Sequence, residues 1–279
     1  MGLISNIRVV DIGGIRCGEV PLFLICGPCV IEEPDIMRRT AEVLKGVGER
    51  LGIPVIFKSS YTKNNRSSGE YYRGPGLQAG LRILDDIRSE FGLPVLSDVH
   101  GVEHVAAAAQ VLDVIQIPAY LCMETELAEA VASTDKAVNI KHGQFLAPEN
   151  MAKPVKKLER MGNSRILVTE RGYTFGYNDL VVDPRSFHLL RQIGYPVVFD
   201  VTHSIRRYGI PSADPRGGNR EYLDVLGRAG VAAGVDGLFI EIHPNPAEAR
   251  CDAASQMHLA ALEEYLKPLL EINAIVKGV

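Results

Sequence analysis

Eight times along this chain a short, often β-branched apolar run is followed by a longer amphipathic segment. The runs lie at 23–25, 54–58, 94–98, 114–117, 137–141, 166–168, 196–200 and 237–241. The amphipathic segments lie near 34–51, 76–91, 102–112, 124–132, 151–161, 184–193, 220–233 and 258–275. Runs that are apolar almost throughout, rather than alternating, belong to a parallel sheet covered on both faces. Eight such units predict an α/β fold, a closed (β/α)8 TIM barrel. The competing open, doubly wound sheet is weaker, because no Gly-x-Gly-x-x-Gly follows the first run. No linker or low-complexity tract divides residues 1–279, so one barrel domain is expected. Upstream, residues 7–18 flank Gly13-Gly14 with short apolar stretches. They read as a β-hairpin capping the bottom of the barrel.

The remaining bulk properties narrow the function. A net charge of -4 argues against a nucleic-acid or membrane surface built on bulk charge, but leaves room for a local basic pocket. No apolar run reaches a membrane span, and the first residues lack the pattern of a signal peptide. The five cysteines make no even disulfide framework, which points to a reduced, cytoplasmic setting.

In a barrel of this type chemistry sits at the C-terminal strand ends. Here those ends carry Cys29, Lys58, Asp98, Gln116, Lys141, Glu170-Arg171, Asp200 with His203, and Glu241. Lys58, Lys63, Arg66, Lys141 and Arg171 form a cationic group expected at one mouth of an acidic protein, with Ser67 and Ser68 adding hydroxyls. Such a group implies an anionic, phosphorylated substrate, since guanidinium donors match phosphate oxygens. Cys29, His203, Glu241 and Asp252 form a second group. The first and eighth strands of a closed barrel are neighbours, so these four can converge into a mixed site for Zn²⁺, Fe²⁺ or Mn²⁺. His203 alternatively serves as a general base, and His243, His100 and His142 compete as ligands. Cys26-Gly27-Pro28-Cys29 also reads as a Cys-x-x-Cys redox motif, although eight barrel units do not fit a thioredoxin-like domain.

Taken together, several stretches resemble 3-deoxy-D-manno-octulosonate 8-phosphate synthases. They are Gly27-Pro28-Cys29-Val30-Ile31-Glu32, Phe57-Lys58-Ser59-Ser60 with Lys63 to Ser68, Arg73-Gly74-Pro75-Gly76-Leu77, and Ser97-Asp98-Val99-His100. The likeness continues through Gln116-Ile117-Pro118-Ala119, Asn139-Ile140-Lys141 with Gly143-Gln144-Phe145, Glu170-Arg171-Gly172, Phe199 to Ser204, Phe239-Ile240-Glu241 and Asp252. The related 3-deoxy-D-arabino-heptulosonate 7-phosphate synthases share the barrel, but their Gly-Ala-Arg-Thr-Thr-Glu-Ser stretch is absent.

The resemblance implies a homotetramer, with sites near subunit interfaces, that condenses phosphoenolpyruvate with arabinose 5-phosphate and releases phosphate. It assigns Lys58, Ser60, Lys63, Lys141, Gln144 and Arg171 to phosphoenolpyruvate, and Asn65, Arg66, Ser67 and Asp98 to the sugar phosphate. Catalytic roles fall on Lys58, Asp98, Lys141 and His203. Cys29, His203, Glu241 and Asp252 become ligands of a divalent metal, because metal-independent members carry Asn at the thiol position. The chain departs from the pattern at Met123-Glu124-Thr125-Glu126, where the family has Arg-Gln-Thr-Asp, and at Tyr61-Thr62, Gly69-Glu70-Tyr71, His142 and Arg206. These changes raise the alternative of a paralogue acting on another aldose phosphate. A thiol–disulfide oxidoreductase and a non-catalytic sugar-phosphate-binding barrel are the readings from other classes.

Overall fold

The structure is a computed structural model that describes residues 7–64, 69–174, 179–211 and 214–278. A hairpin comes first, with β1 (Val10–Ile12) antiparallel to β2 (Ile15–Cys17). Gly13 and Gly14 both take positive φ, 56° and 88°, as a two-residue turn of right-handed twist requires. Then strands and helices alternate. The series runs β3 (Phe23–Gly27), α1 (Pro34–Leu51), β4 (Val55–Lys58), α2 (Leu77–Phe91), β5 (Val95–Asp98), α3 (Val102–Val111), β6 (Val114–Ile117) and α4 (Thr125–Ala132). It continues with β7 (Ala137–Lys141), α5 (Ala152–Arg160), β8 (Ile166–Glu170), the short pair β9 (Tyr173–Thr174) and β10 (Leu180–Val181), and α6 (Pro184–Arg191). It ends with β11 (Val197–Asp200), α7 (Val201–Ser204), α8 (Leu223–Ala232), β12 (Gly237–His243), β13 (Met257–His258) and α9 (Leu262–Lys277).

Eight strands, β3 to β8 with β11 and β12, pair in parallel, and two pairings close the ring: β12 with β3 and β12 with β11. This is the (β/α)8 barrel expected from the eightfold rhythm. Successive strand residues face opposite ways, so each strand serves two cores. Leu24, Cys26, Val55, Phe57, Val138, Ile140, Phe199, Leu238 and Ile240 pack outward with the helix faces. Phe23, Ile25, Ile56, Leu96, Val114, Ala137, Leu167, Val198 and Phe239 fill the interior, together with Val10, Ile12 and Cys17 of the hairpin. The hairpin thus closes the N-terminal end, as expected. Among the described residues no helix is long and apolar enough to cross a membrane.

The same parity sets the chemistry. Two residues beyond Ile56, Leu96, Val114, Val198 and Phe239 come Lys58, Asp98, Gln116, Asp200 and Glu241, on the inward face at the open end. The pair β9 and β10 was not foreseen, and neither were two elements at the mouth. The four-residue helix α7 follows directly on β11, and β13 adds to the tip of β12 through Ile242 and His243.

Candidate active site

At the open mouth lies a cavity of about 520 Å³, lined by Lys58, Lys63, Asp98, Gln116, Lys141, Gln144, Arg171, His203, Arg206, Tyr208, Cys251 and Asp252 among others. The buried Phe239 ring lies against two of these side chains. The Lys141 Nζ lies 3.5 Å and the Lys58 Nζ 5.4 Å from the centre of that ring, so the ring quadrupole helps hold two buried ammonium groups.

Lys58 is 1 % exposed and donates to Glu241 Oε1 at 2.6 Å and to the Cys29 carbonyl at 3.0 Å. It therefore ties the first, second and eighth strands together at the mouth. Lys141 bonds Asp200, whose other oxygen accepts from the His203 amide at 2.9 Å and so caps α7. Burial, only partly offset by Asp200, pulls Lys141 down to about 8. Asp98 accepts from Ser60 and lies 3.1 Å from His100 Nε2. Burial opposes its charge, yet Lys63 and His100 hold it well below the usual carboxylate range. Burial likewise disfavours the Lys63 ammonium, and the acidic groups around it, Asp98 and Glu241 among them, outweigh that.

On the other side of the mouth His203 Nδ1 sits 2.7 Å from Asp200 Oδ2, leaving Nε2 to face 3.6 Å from both Glu241 Oε2 and Asp252 Oδ2. Asp200 faces the ring by charge proximity, since Nδ1 has no partner of hydrogen-bond geometry among the described residues. Cys29 Sγ lies 3.7 Å from Asp252 Oδ2 and 2.7 Å from Cys251 Sγ. The donor atoms of Cys29, Cys251 and Asp252 lie within 4.8 Å of one another, as do those of His203, Glu241 and Asp252. The four donors expected from the sequence therefore fall into two triads that share Asp252, with Cys251 added to the one that holds Cys29.

The donor chemistry fits a divalent cation. Glu241 Oε2 is buried and has no hydrogen-bond partner among the described residues, a costly state unless something positive faces it. Burial raises the Cys29 thiol well above its ordinary value, so its role as a ligand requires a cation that draws off the proton. Arg206 pairs with Asp252 Oδ1 and leaves Oδ2 turned to the cluster.

The other candidates sort cleanly. Cys26 packs in the outer core and Cys29 in a separate cluster with Val30 and Cys251, so the two do not act as a pair. His142 is fully buried between Glu170 Oε2 and the Leu146 carbonyl, each at 2.9 Å. His243 faces Glu32, with Nε2 3.5 Å from Oε2, and His100 faces Asp98; neither joins the donor cluster. Arg171 points into the cavity, whereas its neighbour Glu170 turns outward and accepts from the Arg171 and Gly172 amides. Asn65, Arg66 and Ser67 lie outside the described residues. Sequence reasoning missed Cys251, although it adjoins Asp252, and it missed Tyr208, which nothing in the sequence distinguishes from any loop tyrosine.

The family model of the DAHP synthetase I family matches residues 7–277. The chain belongs to the DAHP synthetase I family. Within it the chain is 51 % identical over 271 residues to a protein of Trichlorobacter lovleyi named 2-dehydro-3-deoxyphosphooctonate aldolase, covering 97 % of this chain and 99 % of that one. Proteins of the same name from Acidithiobacillus ferrooxidans (52 % over 266 residues, 95 % and 94 % covered) and a Geobacter species (50 % over 270 residues, 96 % and 98 % covered) are similar to the same extent. The DAHP synthetase I assignment agrees with the barrel expected from the sequence, and the relatives' names with its resemblance to the octulosonate branch.

Proposed function

We propose that this chain condenses phosphoenolpyruvate with arabinose 5-phosphate and water, giving 3-deoxy-D-manno-octulosonate 8-phosphate and phosphate. One observation carries the reading. Lys58, Lys63, Lys141 and Arg171 line the same cavity as His203 and Asp252, which belong with Cys29, Cys251 and Glu241 to two donor triads, in a chain about half identical to relatives named for that octonate product.

Carbon 3 of phosphoenolpyruvate forms a bond to the sugar's aldehyde carbon, water adds at carbon 2, and the phosphate leaves with its bridging oxygen. Lys141, Arg171 and Gln144 hold the phosphate and carboxylate of phosphoenolpyruvate, with Lys58, Ser60 and Lys63 beside them. Asp98, fixed as an anion, orients the sugar. Such positioning, with preplaced charge facing the oxygens where charge develops, is the main source of rate here. Cys29, His203, Glu241 and Asp252 would hold a divalent cation, Zn²⁺, Fe²⁺ or Mn²⁺, and such a cation would supply Lewis-acid orientation of water or the aldehyde. Asp200 keeps His203 and Lys141 in place. The protein works in the cytoplasm as a homotetramer, consistent with five free cysteines and with Tyr120 (51 % exposed) and Phe145 (57 % exposed) beside the mouth.

The test is phosphate release with phosphoenolpyruvate, Mn²⁺ and each of arabinose 5-phosphate, erythrose 4-phosphate and ribose 5-phosphate. Turnover with either of the other two sugars but not with arabinose 5-phosphate would assign the chain to a paralogue. Binding of both substrates without product would make it a sugar-phosphate-binding barrel. Light scattering tests the tetramer.

A further inference from the structure

Arg171 and Gln144 both face the cavity, and both are already engaged. Arg171 Nη1 donates to the Tyr208 hydroxyl oxygen at 2.8 Å, and Gln144 Nε2 donates to the same atom at 2.7 Å. The Arg171 guanidinium carbon lies 5.8 Å from the centre of the Tyr208 ring. The two donors thus converge on one oxygen at the spacing typical of a charge-assisted bond to an anion. Burial raises the phenol, but Arg171 and the hydrogen bonds from Tyr120 and Gln144 outweigh that and hold it below its ordinary value. The oxygen thus accepts from the same two donors that an anionic oxygen of a ligand would use.

Two further details belong to the same place. Gln144 is 4 % exposed, and its Oε1 has no partner among the described residues. The seat is therefore incomplete with Tyr208 alone and has room for a group that donates. The backbone is anchored just before this residue and bends just after it. Arg207 is tied on both sides, by its side chain to Asp179 at 2.9 Å and by its amide to the Gly217 carbonyl at 3.0 Å. Tyr208 follows that anchor, and Gly209 comes next at a φ of 81°, in the left-handed region that only glycine adopts freely.

We propose that Tyr208 is the built-in occupant of the anion seat, its phenol oxygen holding Arg171 and Gln144 in place until an anionic oxygen of the substrate displaces it. This rests on the reading of Arg171 and Gln144 as phosphoenolpyruvate ligands. Tyr208 is a specificity device as well as a placeholder. Water or a weakly accepting ligand does not dislodge it, whereas a phosphate or carboxylate makes stronger bonds to the same two donors. The opposite role, Tyr208 as a donor to bound substrate, predicts the opposite sign in every measurement below.

The experiment compares the full-length Tyr208→Phe variant with the parent. Inorganic phosphate is titrated calorimetrically without sugar, and KM for phosphoenolpyruvate is measured separately. Removing one hydrogen bond to a charged group frees the seat, so phosphate binding tightens about tenfold and KM falls by a similar factor, while kcat changes less. Tyr208→Leu, which also removes the ring, tightens phosphate binding too. In an Arg171→Gln background Tyr208→Phe has no effect, because the principal donor is gone; a merely structural tyrosine would not show that dependence. Unchanged or weaker phosphate binding in Tyr208→Phe overturns the proposal. The calorimetric arm needs no turnover, so failure of the proposed reaction leaves it readable.

Discussion

Replacing Cys29 by alanine separates the metal reading from every other account of the mouth. Cys29 is fully buried, its amide donates to Gln256 Oε1 at 3.3 Å, and its carbonyl accepts from Lys58. Those links use the main chain, so the substitution removes only the sulfur. A divalent cation at 100 times its Kd stabilises the folded state by about 2.7 kcal/mol. Unfolding entropy near 2.1 cal/mol/K per residue amounts to roughly 0.6 kcal/mol/K over 279 residues, so Zn²⁺ or Mn²⁺ should raise the parent's Tm by about 5 °C. Losing one ligand costs at least about the 100-fold seen for outer partners of metal ligands. At the same metal concentration the gain then shrinks to about 0.4 kcal/mol, under about 1 °C. Cys26→Ala provides the control, because Cys26 packs against the helices. Its baseline falls by about 2 °C for a loss near 1 kcal/mol, and its metal response stays whole. Scanning calorimetry of chelated and reloaded protein decides the matter. A full response in Cys29→Ala, or a lost response in Cys26→Ala, refutes the assignment.

Three other outcomes are expected. Gly27→Ala places a Cβ against the Lys58 carbonyl oxygen, a main-chain atom that cannot yield, so thermal unfolding should show a loss of about 3 kcal/mol or more; a Tm like the parent's would contradict the close approach. Lys58→Ala strands Glu241 as a buried, uncompensated anion and should cost about 3–5 kcal/mol in denaturant unfolding, part of it restored by added Zn²⁺. Lys141 is charged below its lowered value of about 8 and neutral above it. The kcat/KM for phosphoenolpyruvate should therefore fall as pH rises through about 8, and a flat profile to pH 9 would remove Lys141 from the anion site.

The barrel was legible because its signal repeats. Each apolar run and each amphipathic segment restates the same parallel unit, and small errors at the ends do not alter the count. The inward polar residues were legible for a related reason, since parity carries Lys58, Asp98 and Glu241 to the mouth once the strands are known. Parity also explains one confusion. Glu170 and Arg171 read as a single strand-end pair, but adjacent residues face opposite sides, and only Arg171 reaches the cavity. The four candidate metal donors came from the strand ends and loops that ring closure joins, and their grouping needed that closure to be assumed. Contacts made by loops were not legible. Tyr208 meets Gln144 and Arg171 from a turn whose path has no periodicity, and Cys251 meets Cys29 through the backbone before Asp252, where φ is 50°.

Closure of the ring between β12 and β3 has a consequence for synthesis. Cys29 precedes Glu241 and Asp252 by more than 200 residues, so it leaves the ribosome long before them. A nascent chain can build most of its strands and still have nothing opposite Cys29. Capture of a cation by this donor set would therefore have to wait until the eighth strand is made. Fragments that stop short of residue 241, or chains cut between the sixth and eighth strands and then separated, would be blind to metal however well their remaining helices formed.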